Sequence, residues 1–69
     1  MDIAKKIKAA EGYAGISEAE LARRTGRSSQ SLGQRLKTGR FTLDEIEEMA
    51  TALGAEFVCV FRFPDGMEI

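Results

Sequence analysis

The stretch that decides the fold is Leu21-Ala22-Arg23-Arg24-Thr25-Gly26-Arg27-Ser28-Ser29-Gln30-Ser31-Leu32-Gly33-Gln34-Arg35-Leu36-Lys37-Thr38-Gly39. Gly26 can take a positive φ without steric cost, so a short helix is expected to stop there. Ser28 is the next N-cap candidate, opening a second helix through about Lys37 that Gly39 ends. Two short helices around such a turn must approach closely, and Ala22 supplies a small side chain at the crossing. Leu32 and Leu36 sit four residues apart and form the inward stripe of the second helix. At about 100° per residue, Gln30 and Gln34 then fall nearly opposite that stripe. Lys37, Ser31 and Thr38 stand beside them, and Ser29 and Arg35 lie on the flanks.

Upstream, Ser17-Glu18-Ala19-Glu20 reads as a capping box, with Ile16 and Leu21 as the hydrophobic staple. Residues 2 to about 13 form an earlier helix with Ile3, Ile7, Ala10 and Ala14 on one face, and Gly12 and Gly15 mark its exit. Downstream, Thr42-Leu43-Asp44-Glu45 repeats the capping grammar, with Phe41 and Ile46 as its staple. The fourth helix places Leu43, Ile46, Ala50 and Leu53 on one face and ends at Gly54. Its acidic start, Asp44, Glu45, Glu47 and Glu48, suits the positive end of the helix dipole.

After Gly54 the period changes to two. Glu56 to Phe63 predicts a strand, with Phe57, Cys59, Phe61 and Phe63 on one face and Val58, Val60 and Arg62 on the other. Pro64-Asp65-Gly66 is a turn, and Met67 to Ile69 can return as a short partner. The expected fold is mainly α: a four-helix domain over 1–54 containing a helix-turn-helix unit. A C-terminal strand or short hairpin follows at 55–69.

A chain of 69 residues is one small domain, of a size that often gains stability by pairing. Its net charge of −1 conceals a strong asymmetry. Residues 17 to 40 carry Arg23, Arg24, Arg27, Arg35, Lys37 and Arg40 against Glu18 and Glu20. Residues 41 to 69 carry seven acids against Arg62 alone. Screening acts over ~8–10 Å, so the local field of the basic middle, not the total, governs attraction to phosphate. The lone Cys59 excludes a disulfide within the chain and reads as a small hydrophobe in a reducing setting. No apolar run approaches the ~20 residues of a membrane span. No leader pattern opens the chain, so the expected location is cytoplasmic.

These residue types suit contact with double-stranded DNA. Glutamine pairs bidentately with adenine N6 and N7, serine reads several base edges, and a good bidentate pair discriminates by ~1–3 kcal/mol. Ser29, Gln30, Ser31 and Gln34 are the expected base readers. Arg23, Arg27, Ser28, Arg35, Lys37, Thr38 and Arg40 are the expected phosphate contacts, which orient without reading sequence. With no histidine and no paired nucleophile and base, the chain is not expected to be an enzyme. No cofactor, metal or small-molecule ligand is implied.

The spacing Gly15-Ile16-Ser17, Leu21-Ala22, Gly26, Ser28, Leu32, Leu36, Gly39, then Leu43, Glu45-Ile46, Ala50 and Leu53-Gly54, resembles the Cro/repressor-type (XRE-like) helix-turn-helix regulators of bacteria and phages. The resemblance covers residues 3 to 54 and implies a lambda-repressor-like domain acting as a transcription regulator, expected to be a repressor, on a palindromic operator. It implies readers at Ser29, Gln30 and Gln34, with phosphate contacts near Ser28 and Arg40. Two features depart from the family pattern. Gly33 interrupts the recognition helix, and a strand stands where a fifth helix is usual. That strand needs a partner for its free edge. Pairing with a second copy through Phe57, Val58, Cys59, Val60, Phe61 and Phe63 gives the expected homodimer, after the manner of small phage Cro proteins. The rival expectation is a protein-interaction module on the same fold, such as an antitoxin, antirepressor or adaptor.

Overall fold

A computed structural model describes residues 2–69. Four helices follow one another: α1 (Ile3–Ala14), α2 (Glu18–Arg24), α3 (Ser29–Thr38) and α4 (Leu43–Ala52). Each opens on an extended residue whose side chain accepts from the backbone N–H three positions on. The caps are Asp2 to Lys5 (3.2 Å), Ser17 to Glu20 (3.1 Å), Ser28 to Ser31 (3.0 Å) and Thr42 to Glu45 (3.1 Å). Thr42 closes a full capping box, since its own N–H donates to Glu45 Oε1 at 2.8 Å. Ser17 makes only half of the expected box, because the Glu20 carboxylate turns to Arg23 and Arg24 instead.

The turn between α2 and α3 spans residues 25–28. Gly26 takes φ 71°, which lets the Gly26 N–H reach Arg23 O (3.2 Å) and the Arg27 N–H reach Ala22 O (2.8 Å). This is the Schellman pattern, which satisfies carbonyls that the end of a helix leaves open. The Thr25 hydroxyl adds a bond to Leu21 O at 2.9 Å. The chain therefore leaves α2 in a fixed direction and starts α3 within four residues.

The core is Ile7, Leu21, Ala22, Leu32, Leu36 and Met49, with Ile3, Ala4, Ile16, Phe41, Ala52 and Leu53 packed against it. α2 lies at its centre and packs on α1, α3 and α4. Two expected core positions are corrected: Ala14 and Leu43 are exposed. The inward stripe of α4 runs instead through Ile46, Met49, Ala50 and Leu53, and Met49 is its buried residue. The unbranched thioether of methionine fills an irregular space between helices well.

The strand expected over Glu56 to Phe63 does not form. Residues 55–60 have no regular secondary structure, and one isolated antiparallel bridge joins Arg62 to Glu68. Around it Phe61 and Ile69 exchange N–H···O bonds (2.7 and 2.9 Å), and the Phe63 N–H donates to Met67 O at 2.8 Å. Alternation of side chains sets the two faces of a strand, but a ladder requires a second strand. The three-residue return meets only the far end of the segment. Of the six residues expected at a dimer interface, Phe57 is half-buried, while Val58, Cys59, Val60, Phe61 and Phe63 are exposed.

Two substitutions in α3 test this packing through urea unfolding. Leu32→Ala removes a side chain with no exposure and should cost ~2–5 kcal/mol. Gly33 has ordinary helical backbone, and a Cβ there would meet nothing closer than Glu18 Oε2 at 3.7 Å. Gly33→Ala should therefore raise stability by ~0.5–1 kcal/mol.

Candidate nucleic-acid interface

Leu32 and Leu36 anchor α3 in the core, so its opposite side is turned to solvent. Gln30, Ser31, Gln34, Lys37 and Thr38 are all exposed there, and Ser29 is exposed on the flank. The four expected base readers are therefore all accessible to solvent. No acidic residue stands in the first turn of α3, and Arg35 and Lys37 occupy its last turn. The Ser28 and Thr38 hydroxyls hold the ends of the helix. Ser28 caps the start, and Thr38 Oγ1 donates to Arg35 O (3.0 Å) while accepting from the Arg40 N–H (3.4 Å).

The basic residues divide into two sets. Arg27 and Arg35, both expected to face phosphate, are drawn instead to Glu45. Arg27 Nη2 lies 3.1 Å from Glu45 Oε2, and its Nη1 lies 3.5 Å from Glu48 Oε2. Arg35 Nη2 lies 2.6 Å from Glu45 Oε1, its Nε donates to Arg40 O (3.0 Å), and its guanidinium stacks 5.2 Å from the Phe41 ring centre. Only 16% of the Arg27 side chain is exposed. One carboxylate thus ties residues at both ends of α3 to the first turn of α4. Hydrogen bonds from Arg35, from the Thr42 N–H and from Arg27 hold its carboxyl down to about 2.

A second carboxylate, Glu20, is shared by Arg23 and Arg24, which hold it to about 2 as well. Arg24 also donates to Ala52 O at 2.9 Å, linking α2 to the end of α4. Arg23 remains largely in solvent, with 73% of its side chain exposed. Lys37 and Arg40 are exposed and enter no ion pair among the described residues. Of the six basic residues between positions 17 and 40, Arg23, Lys37 and Arg40 are the most open to an outside anion. The capping box identified Glu45 but not its arginines, because partners 18 and 10 residues away leave no mark in local spacing.

One acid has no such compensation. Glu11 is buried on α1, and its Oε2 has no hydrogen-bond partner among the described residues. Burial, then the nearby Glu18 charge, pushes its carboxyl above the ordinary range. Among the described residues no group of three or more His, Cys, Asp or Glu is placed to hold a metal ion. No helix among them is long and apolar enough to cross a membrane.

These shifts give stability a defined pH profile. Glu20 and Glu45 titrate lower in the folded chain than in the unfolded one. Their stabilising contribution is complete above about pH 4.5 and is lost as pH falls toward 2. Glu11 acts in the opposite sense, since its ionisation as pH rises penalises the folded state. Urea midpoints measured from about pH 2 to 7 should rise with pH through the acid range. Glu45→Gln should flatten that rise, and Glu11→Gln should increase the midpoint near neutrality.

Comparison with protein-family models, with curated proteins and with solved structures finds no match to this chain.

Proposed function

We propose that the chain is a sequence-specific double-stranded DNA-binding protein, a transcription regulator that acts as a homodimer on a palindromic operator and represses by occupying it. The observation that carries this reading is the outward side of α3, where Gln30, Ser31 and Gln34 stand exposed away from two core leucines, with Ser29 exposed on the flank. In a major groove these side chains would meet base edges, with the two amides suited to adenine. Arg23, Lys37 and Arg40 supply phosphate contacts at the margins of that surface, joined by the Ser28 and Thr38 hydroxyls. Arg27 and Arg35 are assigned to support of α3 through Glu45, and not to phosphate.

The C-terminal segment supports the pairing of two copies. The Val58, Cys59 and Val60 backbones make no hydrogen bond among the described residues. Val58 (71%) and Phe61 (78%) are left in water. An edge of this kind is completed by a second strand, and a twofold axis lets two copies serve each other. Two recognition helices would then meet half-sites ~34–36 Å apart.

Selection of bound duplexes from a random pool should return a palindrome. For a dimer touching ~6–10 phosphates, affinity should fall steeply between about 50 and 200 mM salt, with a log–log slope near −0.9 per phosphate. Gln30→Ala should relax preference at one symmetric base position, costing ~1–3 kcal/mol on the preferred site alone. Arg40→Ala should weaken all sequences alike and reduce the slope by about one per chain. Absence of duplex binding at low salt overturns the DNA reading and favours a protein partner. Light scattering that shows only monomer at micromolar concentration overturns the homodimer.

A further inference from the structure

We infer that the Glu11 and Glu18 carboxyls, at the junction of α1, α2 and α3, couple DNA binding to protons: each chain takes up a proton at Glu11 as the phosphate backbone closes on that side of α3. Glu11 is 8% exposed, and its Oε2 has no hydrogen-bond partner among the described residues. Buried polar groups are nearly always paired, and an unpaired acid is least costly to bury with its proton on. Burial opposes the ionisation of Glu11 most, the Glu18 charge of α2 adds to that, and Lys8 of α1 acts the other way.

Glu18 connects this acid to the reading surface. It is the first residue of α2, half-buried, and its Oε2 lies 3.7 Å from the point where a Cβ on Gly33 would stand. On a helix the same-side neighbours of position 33 include Ser29, Gln30 and Lys37, at i−4, i−3 and i+4. The Glu18 carboxylate therefore flanks the side of α3 proposed to meet base edges, beside the space that a glycine leaves open. A duplex seated there brings phosphate charge toward two acids, and salt screens such repulsion least where protein lies between. Protonation of Glu11 removes one of the opposed charges. The proton comes from solution and forms an O–H bond on the carboxylate, and no other bond changes. By linkage the duplex raises the proton affinity of Glu11 by the same factor as the proton raises affinity for the duplex. A phosphate charge about 10 Å away, at an effective dielectric near 20, makes that factor roughly tenfold per chain.

The inference rests on the DNA reading above and adds its control by pH. The chain has no histidine, the side-chain type that ordinarily changes charge between about pH 5 and 8, so little else obscures Glu11 there. Titration calorimetry of the full chain with the selected palindromic duplex, repeated in buffers of different ionisation heat, counts the protons taken up. The parent should take up protons toward a limit of about one per chain. Glu11 holds its proton to higher pH with the duplex bound, so affinity is full where the acid is protonated in both states. It should then fall roughly tenfold per chain as pH rises through the titration of Glu11. Glu11→Gln keeps the shape and removes the charge; it should take up no proton and hold the parent's low-pH affinity throughout. Glu18→Gln should keep the uptake but move it to lower pH, because a charge that opposes ionisation of Glu11 is gone. Circular dichroism should show all three chains folded across the range.

If no duplex binds at low salt, the DNA reading falls and the inference with it. If the duplex binds and the parent takes up no proton, the coupling is wrong while the DNA reading stands. Uptake that survives Glu11→Gln places the proton elsewhere and overturns the inference, as does a Glu18→Gln profile identical to the parent's. A fall in affinity that follows loss of helix would make the linkage one of folding alone and overturn it too.

Discussion

The burial of Leu21 and Ala22 on α2 is the constraint from which the rest of the structure follows. α2 has seven residues, and isolated helices shorter than ~12–15 are marginal in water. It persists because neighbours on three sides exclude water from these two side chains, which are 0% and 1% exposed. A larger residue at 22 would force α3 away from α2 and lift Leu32 and Leu36 out of the core. The polar side of α3 would then lose its fixed bearing. The orientation of the candidate DNA surface is thus a packing result, set by a methyl group and a glycine turn rather than by the residues that would touch DNA.

Electrostatics refines this arrangement without creating it. Six basic residues lie between positions 17 and 40, but carboxylates sort them into two groups. Glu45 draws Arg27 and Arg35 into contacts that also satisfy the Thr42 N–H, so one acid serves a cap and two guanidinium groups together. Burying such a hub costs desolvation, and the several hydrogen bonds that complete it offset that cost. Lys37 and Arg40, lying outside the hub, stay hydrated and available. Exposed pairs such as Glu20 with Arg23 contribute little to folding, and a phosphate can replace that carboxylate at small expense.

The helices were legible in the sequence because each carries its own local signals. Ser17, Ser28 and Thr42 open three of them, and Gly26 and Gly39 follow the ends of two. Leu32 and Leu36 fix the orientation of α3, which made the exposure of Gln30 and Gln34 readable before any coordinates. The Asp2 cap and the burial of Met49 were not legible. The expected and observed stripes of α4 share Ile46, Ala50 and Leu53; whether Leu43 or Met49 joins them depends on which neighbours the helix meets, and both satisfy the same spacing rule. The Glu45 hub was hidden for a related reason, since its arginines come from another element. At the C-terminus, alternation from Phe57 to Phe63 gives the faces of a strand but cannot supply the chain that pairs with it.

That last difference bears on how the whole protein is stabilised. Among the described residues only six hydrophobic side chains are buried, and beside them lies the buried acid Glu11, whose Oε2 has no hydrogen-bond partner there. Domains of this size rarely build a large stability margin from one core. Meanwhile Val58, Phe61 and Phe63 remain exposed to water. Association of copies would bury them and stabilise the fold at once, through mass action on the folded form. It would also set the spacing of two recognition helices. A segment that contributes little to the single chain would then be the element that joins folding, assembly and the proposed reading of a twofold site.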